Sequence, residues 1–271
     1  KNGGWGFVSF NSRDNLEEKL QRAEEQAAMV ACYKEEITAL AEAPGTVDEI
    51  GADFKEDPRD VPLPEKIDLL AHYNNLILAG HRHIASSRII YFDRHTRWHF
   101  ASSEGTYIYQ EKPDLGGHLG SSASDGNENT YTSVSFGSTS DFGVARNLDQ
   151  RVEEATERAV ALLSAPTVKG GEYTVILDPE LAGLFVHEAF GHLSEADEIY
   201  DDENLLRLMA LGNRYGPPIL NIYDTGLAGG HRGSYNYDDE GVPTEKTYLI
   251  KEGVVVGHLH SRESAARMDA R

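Results

Sequence analysis

RIIYFDRHTRWHFASSEGTYIYQ, residues 88–110, is where the chain commits to a sheet. β-Branched and aromatic residues crowd it, as half-buried pleated surfaces require. Turn residues interrupt it at Asp93–Thr96 and at Ser103–Gly105, so the span from Ile84 to Gln110 is predicted to be a meander of about three strands. On either side the apolar period changes to that of helices. Upstream, Pro64 to about Ala79 reads as a helix entered through its proline. Downstream, NLDQRVEEATERAVALLS (147–164) places Val152, Ala155, Ala159, Leu162 and Leu163 on one helical face. Between the meander and that helix, residues 114–143 are crowded with Gly, Ser, Asn and Asp. Alternation of Tyr131, Val134 and Phe136 predicts one strand there, flanked by mobile loops.

Trp5–Phe10 alternate as a strand would, Asn11 and Ser12 offer capping oxygens, and residues 14–40 carry an amphipathic helix pattern that includes Cys32. Cys32 is expected to act as a small buried or half-buried residue. A proline-rich acidic connection over 43–64 marks the first boundary. Past Gly170 and Gly171, EYTVILDP reads as a strand and ELAGLFVHEAFGH as a helix of about three turns. PILNIYDTG, TEKTYLIKEG and VVVGHLHS then supply strands around the GGHRGSYNYDDEG loop, before a short helix. The fold class is α+β: an amino-terminal mixed α/β domain, then a larger, mainly antiparallel β domain carrying the metal-type helix. The expected division is 1–62, 63–145 and 146–271. The opening KNGGWGFVSF and the closing RESAARMDAR carry neither a start nor a stop signal, so the chain reads as a piece of something longer, truncated at both ends.

Among 271 residues, 45 Asp and Glu outweigh 25 Lys and Arg for a formal charge of −20, which argues against direct nucleic-acid binding. No run is long and apolar enough for a membrane span. A single cysteine excludes an internal disulfide framework and suits the cytoplasm.

The candidate chemistry lies in LFVHEAFGHLSEAD, residues 184–197. His187, Glu188 and His192 form HExxxH, one residue longer than the zinc-peptidase HExxH. In a regular helix residues four apart differ by about 40° and converge on one ion, whereas residues five apart differ by about 140° and do not. The helix must therefore bend or loosen. Gly191 can supply the departure, by tolerating other backbone conformations or accommodating a π-bulge. Then His187 and His192 would bind a metal and Glu188 would take a proton from water. The apolar turn Leu184–Val186 is expected to carry both imidazoles into a buried or cleft position. Glu195 and Asp197 could be ligand or outer partner, and no third ligand is evident. The pairs His81/His83 and His258/His260 could chelate from one strand face, but neither is joined by cysteine or an acidic cluster. Asp238–Glu240 before Gly241 read as a tight turn, not a calcium loop.

YTVILDPELAGLFVHEAFGHLSEAD and YDTGLAGGHRGSYNYDDEGVPTEKTYLIKEGVVVGHLHSRESAAR closely resemble the TldD branch of the TldD/PmbA metalloprotease family. GGWGFVSFNSRDNLEEKLQRAEEQAAMVA also resembles its amino-terminal domain. The resemblance implies a zinc-dependent cytoplasmic peptidase for small or unfolded peptides, serving peptide processing or turnover. It implies ligands at His187 and His192, a base at Glu188, and a third ligand from a downstream cysteine that this sequence lacks. It also implies a homodimer, or a heterodimer with a PmbA-like subunit. The alternative is a non-catalytic peptide-binding or partner subunit of such a complex.

Overall fold

The computed structural model describes residues 3–34 and 37–270. The chain forms two compact units, one of Lys1–Ala43, Leu177–Asp224 and Thr247–Arg271, the other of Pro44–Ile176 and Thr225–Lys246. The α+β class holds. The first change of unit falls between Ala43 and Pro44, and residues 147–164 belong to the second unit.

In the second unit, strands β2 (Ile84–Ala101) and β3 (Tyr107–Ser124) pair antiparallel from Ile84↔Ala123 to Ala101↔Tyr107. The turn expected at Ser103–Gly105 closes this hairpin. The turn expected at Asp93–Thr96 does not form: β2 continues through it, and its polar residues find partners on a helix and on the neighbouring strand. Asp93 receives Lys66 Nζ at 2.6 Å, and Arg94 reaches Asp114 on the neighbouring strand at 3.3 Å.

Nor are residues 114–143 mobile loops around one strand. β3 runs through the glycine-rich part, β4 (Asn129–Ser138) pairs with it antiparallel, and a short 3-10 turn follows at Phe142–Ala145. Small residues are needed here to admit rings from β4. A Cβ on Gly117 would lie 2.2 Å from the Phe136 ring, and one on Gly120 would lie 2.2 Å from the Tyr131 hydroxyl. A fourth strand, β1 (Val47–Ile50), joins β3 in parallel from Val47↔Tyr107 to Ile50↔Gln110. Helices α2 (Leu63–Gly80) and α3 (Asp149–Leu162) bury Tyr73, Ile77, Val152 and Ala155 against Leu119 and Val134. Each large apolar side chain so buried contributes about 1.5–3 kcal/mol. The 229–241 loop returns to the same unit: Arg232 grips Asp114 at 2.6 and 3.1 Å, and Tyr237 donates to Asp48 at 2.7 Å. Asp238 accepts from the backbone N–H groups of Glu240 and Val242, as its reading as a tight turn requires.

In the first unit, α1 spans Leu16–Ala31 and ends well short of residue 40; positions 35 and 36 of the expected helix lie outside the described residues. Cys32, at its C-cap, is exposed, against the expectation of burial. Trp5–Phe10 and residues 172–178 join no ladder, with Phe7 81% and Ile176 98% exposed. Alternation in those segments finds no strand to pair with among the described residues. A three-stranded sheet orders β5 (Ile222–Thr225), β6 (Lys246–Lys251) and β7 (Val254–Val255). Its buried Ile222, Leu249 and Ile250 carry Val186 and Phe190, two residues of the HExxxH segment and the turn before it. The short closing helix (Arg262–Arg267) begins with a capping box made by Ser261 and Ser264. Among the described residues no helix is long and apolar enough to cross a membrane.

Candidate metal centre

Asp178 and Pro179 set the start of helix α4 (Pro179–Val186). The Asp178 carboxylate accepts from Leu181 N–H at 2.8 Å, and the proline occupies the first turn, where its missing N–H costs nothing. The helix then widens. His187–Gly191 forms a π turn in which His192 N–H donates to His187 C=O, and His192–Ser194 tightens to 3-10 geometry. A backbone bond spanning five residues sets His192 over His187, which a regular helix cannot do. The imidazole centroids are 4.5 Å apart, and ligand atoms of His187, Glu188 and His192 all lie within 4.8 Å of one another.

Both ends of this segment are held. Val186 and Phe190 rest on the β5–β6–β7 core, and Phe190 meets Tyr215 edge-on at 5.8 Å. Beyond His192, Leu259 N–H donates to Ser194 C=O at 2.7 Å and Ala196 N–H donates to Leu259 C=O at 2.9 Å. With one extra residue between two anchors, the helix takes it up as a bulge. Gly191 is not the cause, since its φ of −56° and ψ of −61° are ordinary helical values open to any residue.

His187, Glu188 and His192 are exposed, which corrects the expectation of a buried or cleft position. The reason is facing: only Val186 and Phe190 turn to the core, while Leu184 and Phe185 remain 55% and 59% exposed. Glu195 Oε1 lies 2.7 Å from His192 Nδ1. Sequence reading left Glu195 open between ligand and outer partner; the three-residue spacing from His192 was the available signal. Asp197 is exposed in the first turn of helix α5 (Ala196–Ile199).

The other histidine pairs gather no acid or cysteine into a metal group among the described residues. His81 and His83 stack at 5.2 Å, and His83 Nδ1 meets Ser124 C=O at 3.2 Å. His258 Nε2 meets Met209 C=O at 2.7 Å, and burial, with His258 beside it, holds His260 below the usual imidazole range. These two flank Leu259, so the HLH stretch works as an anchor for the metal-type helix. Cys32 does not join the group either.

Two imidazoles and a carboxylate are donors suited to zinc and its neighbours. Tetrahedral ligands at zinc bond lengths stand about 3.3 Å apart. The observed spread needs only small side-chain adjustments to reach that, so the residues fit a metal ion of this kind.

A family model described as the PmbA/TldA metallopeptidase central domain matches residues 56–163, and one described as the C-terminal domain matches residues 170–271. A metalloprotease of Synechocystis sp. is 43% identical over 98% of this chain and 57% of its own length. A zinc metalloprotease TldD homologue of Saccharolobus solfataricus is 28% identical over 98% of this chain and 57% of its own. The chain thus spans little more than half the length of these relatives. A crystal structure of a Bacteroides thetaiotaomicron protein, given as a candidate modulator of DNA gyrase, superimposes with a TM-score of 0.82 at 17% identity. That match covers 100% of this chain and 62% of the other, and it speaks for the fold alone.

Proposed function

The chain belongs to the PmbA/TldD family of metallopeptidases, and from that premise we propose that it carries the catalytic helix of a zinc-dependent peptidase acting on small or unfolded peptides in the cytoplasm. The observation that carries this is the π turn, which gathers His187, Glu188 and His192 within 4.8 Å. His187 and His192 hold the metal. Zinc, when bound, polarises the scissile carbonyl and makes the attacking water more acidic. Glu188, the neighbour of the first ligand, takes the proton from that water and returns it to the departing amine. Catalytic zinc takes three protein ligands, and the family resemblance implies a downstream cysteine as the third. The working assembly is a homodimer, or a heterodimer with a PmbA-like subunit.

The second reading, a peptide-binding or partner subunit without catalysis, draws support from the exposure of all three residues. Both readings meet in one experiment on the full-length protein. Zinc content and cleavage of a disordered peptide are measured for the wild type, with and without chelator, and for Glu188→Gln. The peptidase reading expects stoichiometric zinc in both proteins, chelator-sensitive cleavage in the wild type, and a loss of turnover of about 10²-fold or more in the variant. Full activity in Glu188→Gln would remove the assigned base, and a zinc-loaded but inert wild type would select the subunit reading.

A further inference from the structure

Glu195 occupies an unusual place for a helix-capping position. It precedes α5, its backbone C=O accepts from Glu198 and Ile199, yet its carboxylate makes no cap. Instead the side chain turns back to His192, with Oε1 2.7 Å from Nδ1. Its backbone is fixed on both sides: Ser194 and Ala196 are fully buried, and both bond to Leu259. Only the side chain is free to work. An ion pair whose members are 56% and 42% exposed contributes little to stability, so the contact does not serve to hold the fold.

A carboxylate oxygen accepts, so this contact favours the His192 tautomer that carries its proton on Nδ1. Nε2 is then left as the unprotonated nitrogen. Metal-binding histidines depend on such a partner, which fixes tautomer and ring orientation and raises ligand basicity. Resting on the peptidase reading above, we infer that Glu195 is a positioning residue, not a metal ligand: it locks His192 so that Nε2 is the nitrogen offered to zinc. The arm is set before any metal arrives, because the Leu259 ladder holds its backbone. The sequence HxxE therefore belongs to the site as much as HExxxH does. Leu259 holds the opposite side of that ladder.

The test uses full-length protein with Glu195→Ala and Glu195→Gln. Three quantities are read: zinc affinity by competition with a chromophoric chelator, the visible spectrum of the cobalt-loaded protein, and Tm of the metal-free protein. Loss of the orienting partner is expected to weaken zinc binding about 10- to 100-fold in Glu195→Ala. Metal-free Tm should stay unchanged, and Glu195→Gln, which keeps an accepting oxygen, should recover part of the loss. The cobalt spectrum should keep the wild-type ligand set. Unchanged affinity in Glu195→Ala overturns the inference, as does a loss that follows a fall in metal-free Tm. Abolished binding with an altered cobalt spectrum in both variants would make Glu195 a direct ligand, which overturns it too. A wild-type protein that binds no zinc would instead defeat the peptidase reading itself, a result distinct from all of these.

Discussion

Replacing Gly191 by alanine tests why the helix widens at the metal-type motif. If the glycine supplies backbone freedom, as the sequence suggests, Gly191→Ala should straighten or break the turn. The structure predicts the reverse. Gly191 has helical φ and ψ, so alanine can adopt them without strain. Its new Cβ would meet His187 Nδ1 at 3.4 Å, Cγ at 3.8 Å and Cβ at 3.9 Å, ordinary van der Waals distances. Alanine at a compatible position restricts the unfolded chain and stabilises by about 0.4–1 kcal/mol. For a protein of this size that is a rise in Tm of about 1–4 °C. Thermal unfolding of the metal-free full-length protein gives the first number and zinc competition the second, with affinity expected within about twofold of wild type. Destabilisation beyond about 1 kcal/mol would refute the argument that anchored ends make the bulge. So would a tenfold loss of zinc affinity with the fold intact, which would mean that the His187 ring needs the space the methyl fills.

Two further outcomes follow from the second unit. The hydroxyl of the fully buried Tyr73 donates to Ala145 C=O at 2.9 Å and receives Leu148 N–H at 3.2 Å, standing in for the side-chain cap that α3 lacks. Tyr73→Phe leaves both groups buried and unpaired and should cost about 2–4 kcal/mol by equilibrium unfolding; a cost under about 0.5 kcal/mol would refute the capping role. Arg232, with Arg94 behind it, holds the Asp114 carboxyl below the usual aspartate range. Because the folded value is the lower one, this contribution is present above the unfolded pKa of about 3.9 and fades as pH falls from there toward the folded value. The difference in Tm between wild type and Asp114→Asn should therefore shrink as pH drops below about 4, and a gap constant with pH would contradict the pairing.

Sequence was legible where partners are local and opaque where they are distant. The helix at α2, the α3 face, the Ser103–Gly105 turn and the HExxxH spacing all rest on neighbours within a few residues. Asp93 misled as a turn residue because its cation, Lys66, comes from a helix elsewhere in the chain. The glycines of β3 misled in the same way: only the register Gly117↔Phe136 shows that they make room for rings. β1 was missed, since the short acidic VDEI is a strand only by virtue of Tyr107–Gln110. At the site, the need for a distortion was readable, but its cause was not. Leu259, which bonds Ser194 and Ala196 just past the turn, lies more than sixty residues further along the chain. The burial expected of the histidines failed because hydropathy gives how apolar a turn is, not which of its residues meet the core.

The two edges of β3 differ in how the chain reaches them. β2 closes on it across a five-residue turn, whereas β1 must find Tyr107 across about sixty residues. Loop closure costs about 0.6 kcal/mol more per doubling of length, so the second contact starts more than 2 kcal/mol behind the first. The hairpin forms early and supplies a finished edge, on which β1 docks late. A strand of four residues that arrives last is also the first to leave, and its departure bares Tyr107–Gln110 while the rest of the sheet stands.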